Sequence, residues 1–365
     1  MLQVGRQHNC TTRQIFIIMA LTANNTADID ISTKVAFLRQ PASYPGHPAE
    51  VNVIQTHMSW VFLTDRLVYK LKKPVRFEFL DFSTLERRQH DCLEEVRLNR
   101  RLARGVYLSV VPLTVDASGR LHLDGEGEPV DWLVKMQRLP RECMLDQVIA
   151  ARRVEDTEVR TFSQLLVGFY RHADPVSMTP HEYRQRFEQN IHDYTIVLSE
   201  PGYGLPYRQI TMIKQVLQQF LSDKSELFDA RVKGHRIVEA HGDLRPEHIC
   251  LIDPPVIIDC LEFNRALRIL DPADELAFLA LECEYAGAPY LGEVVFETYR
   301  QLTDDNPAHA LVHFYKALRA LLRAKLTIRH LDDHDASEHH EWVQRAGDYL
   351  QLAEHYAGML DYQEP

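Results

Sequence analysis

The character of the chain changes at Pro140, and that change limits the folds open to it. Before it, residues 51 to 72, VNVIQTHMSWVFLTDRLVYKLK, alternate apolar and polar side chains around turn signals at His57 to Ser59 and at Asp65-Arg66. Period two with tight connections predicts strands. Ser83 and Glu86 have the S-x-x-E spacing of a capping box, and Leu85, Cys92, Leu93, Val96 and Ala103 carry helical spacing up to Gly105, which predicts one helix. YLSVVPLTV, a glycine-rich turn between Gly119 and Gly127, and DWLVKMQRLP (131 to 140) predict a second hairpin closed by Pro140. Beyond it, FSQLLVGFYRHA, EYRQRFEQNIHDYTIVL, LAFLALECEYA, FYKALRALLRAKLTI and AGDYLQLAEHYAG are spaced as helices. Only IVEAH and VIIDC read as strands there, and they bracket HGDLRPEHICL (241 to 251). The expected class is α+β: residues 1–35 an N-terminal extension, disordered or mis-started, 36–139 a small sheet-rich lobe, and 140–365 a larger helical lobe with a functional loop at 241–264.

Composition narrows the function. At 45% apolar and 25% charged residues the chain is globular rather than disordered. A formal net charge of −11 argues against nucleic acid as a partner, because that affinity comes mainly from Lys and Arg on phosphates; a cationic or small polar partner fits better. Six cysteines without a CxxC pair indicate neither a zinc knuckle nor a disulfide framework, so the cytoplasm is the expected location. Arg6 and Arg13 precede IFIIMALTA (15 to 23), superficially a signal-peptide core. The run is short and contains Met19, so an over-extended start with the true one at Met19 is the simpler reading. No run approaches the ~20 apolar residues of a membrane span, and a soluble protein without a membrane partner is expected; the oligomeric state is not readable.

Phosphoryl transfer from ATP needs a cation on the phosphates, a carboxylate to orient it, a base at the attacking hydroxyl, and metal ligands. LVYK ends on Lys70, the strand position of the V-A-I-K lysine that touches the α and β phosphates. Glu95 lies nearer the apolar stripe of the capped helix than Glu94, which makes it the better partner for Lys70. HGD supplies Asp243 as base, and VIID supplies Asp259 as metal ligand. Met136 and Gln137 in KMQRLP sit where a kinase hinge would present backbone groups to adenine, and their ordinary reading is an interlobe linker. Singly, each residue has an ordinary reading: Lys70 and Lys72 as solvent-facing strand lysines, Asp243 as a turn aspartate, Asp259 as a strand-end cap. Together they point to one chemistry. Asp271 before Pro272 reads as a helix N-cap and Asp274 as a first-turn dipole partner. His241 is expected to orient the loop through hydrogen bonds, and HLDDHDASEHHEW (330 to 342) reads as a solvated helix connection rather than a metal cluster.

THMSWVFLTDRLVYKLKKP, DFSTLERR, LNRRL, HGDLRPEHICL and IIDCLEFN, in this order from about Val51 to the last helices, resemble the aminoglycoside phosphotransferase-like branch of the protein-kinase-like fold. The chain is similar in particular to uncharacterised bacterial kinases of that branch, some fused to a P-loop ATP-binding domain. No G-x-x-x-x-G-K-[ST] occurs in this sequence. The resemblance implies a bilobal protein-kinase-like molecule using ATP and Mg2+, with Mn2+ as an alternative, to phosphorylate a hydroxyl of a small-molecule substrate. The loop also resembles H-R-D-L-K-P-E-N, with Gly242 for the arginine, Arg245 for the lysine and His248 for the asparagine. Arg245 is then a γ-phosphate contact. His248 is either a metal ligand beside Asp259 or a loop histidine, with Glu262 or Asn264 supplying oxygen instead. The family pattern also gives an acid at Asp271 the task of bracing the loop.

Two departures matter. Gly5 and Gly46 are the only glycines before Gly105, so without a G-x-G-x-x-G the turn from Thr56 to Ser59 must cover the phosphates, with Ser59 as its candidate contact. Eleven residues separate Asp259 from Asp271, too few for a peptide-docking activation segment. A catalytically silent, nucleotide-binding pseudokinase acting as a regulatory module is the rival reading, and transfer of the adenylyl group a third.

Overall fold

The computed structural model describes residues 29–77, 80–332 and 339–361. The chain forms two compact units: one runs up to Val96 and resumes at Gly105–Arg138, and the other comprises Arg97–Arg104 and everything from Leu139. Residues 1–28, and with them the Met19 start, lie outside the described residues, as do 333–338 of the histidine-rich segment.

The first unit is built on an antiparallel six-stranded sheet. Its strands are β1 (Asn52–Gln55), β2 (Ser59–Leu63), β3 (Leu67–Lys72), β6 (Tyr107–Val115), β7 (Leu121–Leu123) and β8 (Glu128–Gln137), in the order β1-β2-β3-β8-β6-β7. A two-residue ribbon, β4 (Arg76–Phe77) with β5 (Leu80–Asp81), follows β3. Alternation sorts the side chains of β3: Tyr69 and Leu71 join Phe62, Leu113 and Leu133 in a buried cluster, so Lys70 and Lys72 belong to the opposite face. Helix α1 (Ile31–Leu38) adds Val35 and Leu38 to that cluster. It starts at Asp30, whose carboxylate accepts from Thr33 N at 2.9 Å. Residues 29–35 therefore belong to the first unit, which corrects the expectation of an extension running to residue 35.

Helix α2 (Leu85–Asn99) is the helix predicted after the first hairpin, with two corrections. Thr84, not Ser83, caps it: Thr84 Oγ1 accepts from Arg87 N at 3.3 Å, while the Ser83 hydroxyl donates to Asp81 at 2.6 Å. Leu93 is 52% exposed, so it lies off the buried stripe, and the helix ends at Asn99, short of Gly105.

The second unit contains α3 (Leu145–Ala150), α4 (Asp156–His172), α5 (Pro180–Leu198), α6 (Tyr207–Asp223), α7 (Ser225–Lys233), α8 (Pro272–Tyr285), α9 (Tyr290–Leu302), α10 (His309–Ile328) and α11 (His339–Asp361). Every residue of α8 from Pro272 to Cys283 is buried, as a helix surrounded by others requires. Two short antiparallel ladders interrupt the helices: β9 (Val238–Glu239) with β12 (Ile269–Leu270), and β10 (Ile249–Cys250) with β11 (Val256–Ile257). The predicted strands in IVEAH and VIIDC are thus two residues each, and they hold the ends of the H-G-D loop. Among the described residues no helix is long and apolar enough to cross a membrane.

Candidate active site

In the first unit, Lys70 Nζ lies 2.9 Å from Glu95 Oε1. The expected pairing is present, and the expected solvent-facing alternative for these lysines is not. Lys72 is completely buried, with Nζ 2.7 Å from Glu95 Oε2 and 2.6 Å from Asp91 Oδ2. Glu95 therefore spans two lysines of one strand face. The Lys70 side chain is 16% exposed and that of Lys72 0%, so Lys70 is the lysine of this pair that a ligand can reach. Burial raises the pKa of the Asp91 carboxyl, against the pull of Lys72. Met136 and Gln137 are the last residues of β8, opposite Val68 and Leu67, and Gln137 N–H donates to Val106 O at 2.8 Å. That amide is engaged by the residue preceding β6. Ser59 is 2% exposed, and its N–H donates to Thr56 Oγ1 at 2.9 Å. The exposed residues of that turn are Thr56 and His57.

In the second unit the H-G-D loop is fixed from below by Glu275 in the first turns of α8. Glu275 Oε1 accepts from His241 N at 3.0 Å and from Gly242 N at 2.6 Å, and Oε2 accepts the Tyr170 hydroxyl at 2.8 Å. Burial raises the pKa of Glu275 while these donors oppose the rise. The bracing expected of Asp271 thus falls to Glu275. Asp271 does cap α8, accepting from Ala273 N at 2.9 Å, but its carboxylate otherwise meets Arg231 and Tyr315. Asp274 sits in the first turn as expected, held by Arg319 at 2.7 and 2.8 Å. The acids of D-P-A-D-E, placed directly before the apolar LAFLAL, carry the signal that could have identified Glu275: acids on a helix that enters the core must have partners there.

Gly242 has φ +92, and a Cβ there would lie 3.1 Å from Leu261 Cδ1, 3.2 Å from Arg268 Cγ and 3.3 Å from Leu267 O. Both the backbone conformation and the space call for glycine where the related motif has arginine. His241 is fully buried. It accepts from Asp243 N at Nδ1 (3.3 Å) and donates from Nε2 to Ile258 O (2.9 Å), so one neutral tautomer satisfies both. Burial lowers its pKa to about 4.

Asp243, Arg245, His248 and Asp259 come together. Arg245 Nη2 donates to Asp243 Oδ2 at 3.0 Å. Burial alone would raise the Asp243 pKa, but Arg245, His248 and Arg323 hold it below the ordinary carboxylate value. His248 donates from Nδ1 to Asp243 O at 2.7 Å, which makes Nε2 the accepting nitrogen; it accepts from Arg245 Nη2 at 3.3 Å and lies 3.6 Å from Asp259 Oδ2. A backbone carbonyl on one ring nitrogen is the usual orientation of a metal-binding imidazole. Asp259 adopts φ +61 two residues beyond β11, a conformation aspartate tolerates better than most residues. A carboxylate and an aimed nitrogen fit a divalent ion that takes its remaining ligands from phosphates and water. Asn264 fits less well, because its Oδ1 accepts from Ala266 N at 2.9 Å and caps the short helical turn Arg265–Arg268. Among the described residues no cluster of three or more His, Cys, Asp or Glu side chains is arranged to hold a metal.

No family model matches the chain. It is 32% identical over 286 residues to uncharacterised proteins of Mycobacterium tuberculosis (strain H37Rv) and Mycobacterium bovis, an overlap of 76% of this chain and 54% of theirs. The chain thus spans about half the length of the curated relatives it matches. Among solved structures, a choline kinase from Cryptosporidium parvum matches with a TM-score of 0.54 at 10% identity, over 90% of this chain and 96% of that one. A choline/ethanolamine kinase family protein from Mesorhizobium loti matches with a TM-score of 0.49 at 16% identity, over 90% and 100%. At such identity the likeness to the choline kinase is one of architecture: a sheet-rich first unit followed by a helical second one. In its fold, the chain is similar to the choline kinase of Cryptosporidium parvum.

Proposed function

We propose that the chain is an ATP-dependent phosphotransferase that phosphorylates a hydroxyl of a small molecule. The observation that carries this reading is the 2.9 Å pair between Lys70 on β3 and Glu95 on α2, the arrangement that presents a lysine to nucleotide phosphates. In this reading Lys70 binds the phosphates and Glu95 orients it, with Lys72 holding the other oxygen of Glu95. The end of β8 at Met136 and Gln137 leads into the adenine contact. Asp243, kept ionised by its cationic neighbours, accepts the proton of the acceptor hydroxyl while that oxygen forms the new bond to the terminal phosphorus and the bond to the departing ADP breaks. Arg245 supplies positive charge to the phosphoryl oxygens in transfer. Its Nε is buried without a hydrogen-bond partner among the described residues, which suits a group whose acceptor arrives with the ligand. A divalent ion, Mg2+ or Mn2+, would neutralise phosphate charge when bound, and Asp259 with His248 Nε2 would hold it. A small acceptor is favoured over a protein because the segment after Asp259 is short and tied back: Arg268 donates to Leu261 O, Glu262 O and Glu239 Oε1 at 2.6, 3.2 and 3.0 Å.

Thermal unfolding with and without Mg-ATP tests the reading. Nucleotide should raise the melting temperature by mass action, Lys70→Ala should remove most of that rise, and Asp243→Asn should keep it while abolishing ATP consumption across a metabolite screen. Absence of any shift with purine nucleotides at millimolar concentration would overturn the assignment.

A further inference from the structure

A second concave site lies within the helical unit, and none of its lining residues belongs to the catalytic set. It is a cleft of about 770 Å³, inside the ~300–1,000 Å³ range of small-molecule sites. Leu165 and Phe169 of α4 and Val176 beyond it form its apolar wall, while Arg101, Arg265 and Glu239 form its polar side. From this geometry we propose a binding site for a small organic anion with an apolar, preferably aromatic, body.

The floor is preorganised. The Arg101 guanidinium stacks 4.8 Å over the Phe169 ring and is fixed by bonds to Glu239 O and Ala240 O, each 3.0 Å, and to Cys260 Sγ at 3.2 Å. It stays in place as a fixed positive charge beside an aromatic face. Arg265 differs. It engages Glu239 Oε2 through Nε at 2.9 Å, and its side chain is 63% exposed, so the fork of its guanidinium is open to a carboxylate, sulfonate or phosphate. Two acids line the cleft, Glu239 and Asp174. Glu239 is also bonded by Arg268 at 3.0 Å, and its arginine neighbours hold its pKa low against burial. With Arg97, Arg101 and Arg265 on one side and Asp174 and a doubly paired Glu239 on the other, the balance favours an anion. The apolar wall then selects anions that carry a hydrophobic body over inorganic ones.

Anilinonaphthalene sulfonate has the required chemistry, and its fluorescence reports transfer from water to an apolar wall, independently of nucleotide. Gly168 lines the cleft, and a Cβ built on it meets nothing within 4 Å, so Gly168→Leu fills the apolar half without disturbing the core. We expect saturable binding near one probe per chain, weakened about tenfold in Gly168→Leu and about threefold in Arg265→Ala. The residual binding of Arg265→Ala should also depend less on salt. Both variants should melt close to the wild type, and Arg265→Ala, a surface change, decides alone should Gly168→Leu misfold. Equal affinity in wild type and variants, or a titration that never saturates, would overturn the proposal. Loss of nucleotide binding bears on the catalytic reading and leaves this one standing.

Discussion

His241 and His248 stand seven residues apart, and their hydrogen bonds give them different chemistry. His248 gives its Nδ1 proton to Asp243 O and turns Nε2 towards Asp259. Magnesium prefers oxygen ligands, and imidazole suits later transition metals. His248→Asn should therefore retain the metal-dependent part of the Mg-ATP melting shift and move preference from Mn2+ towards Mg2+, whereas His248→Ala should weaken both; metal titrations followed by melting, with Mn2+ binding read by electron paramagnetic resonance, decide it. Identical behaviour of the two variants would remove His248 from the metal site. His241 titrates differently. Its pKa in the fold is lowered to about 4 by burial, below the ~6.5 of a free imidazole. Between those values the unfolded chain binds the proton and the folded chain does not, so stability is lost as pH falls from about 6.5 towards 4, by up to about 3 kcal/mol. His241→Gln should flatten that part of the melting profile, at the cost of a lower melting temperature at neutral pH. A slope unchanged in the variant would show that other groups carry it.

The element that most controls the first unit is α2, whose Arg88, Asp91 and Glu95 form one stripe at i, i+3 and i+7. Each is clamped to the sheet: Asp91 and Glu95 to Lys72 and Lys70 of β3, and Arg88 to Asp131 of β8 at 2.8 Å. Asp131 also accepts from Lys34 of α1 at 2.8 Å. Helix α1, the sheet and α2 are thus joined by buried charge, and Glu95 is aimed at Lys70 by contacts that begin on the opposite face of the sheet. Asp131→Ala would leave Lys34 and Arg88 buried without their carboxylate, a loss on the order of 3–5 kcal/mol. A denaturant midpoint should fall accordingly, and the Mg-ATP melting shift should shrink although Asp131 touches no nucleotide. A loss below about 1 kcal/mol would show that the cluster is slack. The Lys70–Glu95 pair was legible because its geometry follows from local register, the end of an alternating strand and one face of a periodic helix. Lys72, Arg88 and Asp131 were not, because charged residues are expected outside the core unless paired, and their partners are remote in sequence.

At the scale of the whole molecule the same distinction recurs. The second crossing between the units falls between Arg138 and Leu139, beside Pro140, where the periodicity of the sequence changes. The first crossing passes unmarked. Helix α2 keeps one helical pattern throughout, yet it leaves the first unit at Val96, and Arg97–Arg104 belong to the second; periodicity reports that a face is buried, not which core buries it. The consequences are concrete. Asn99 Oδ1 accepts from Cys260 N at 2.9 Å, Leu102 O accepts from Ile257 N at 3.3 Å, and Arg101 holds Glu239 O and Ala240 O. These contacts flank Asp259 and the H-G-D loop, so a fragment cut at the apparent boundary would lose them all. Asn99→Ala in the full chain leaves the buried Cys260 N–H unsatisfied and should cost about 1–3 kcal/mol, with a weaker metal-dependent shift because Cys260 adjoins Asp259. A fragment of residues 139–365 should lose more than this single variant and should not unfold cooperatively at the temperature of the full chain. If it does, Arg97–Arg104 are dispensable to the second core, and the unit begins where the sequence pattern changes.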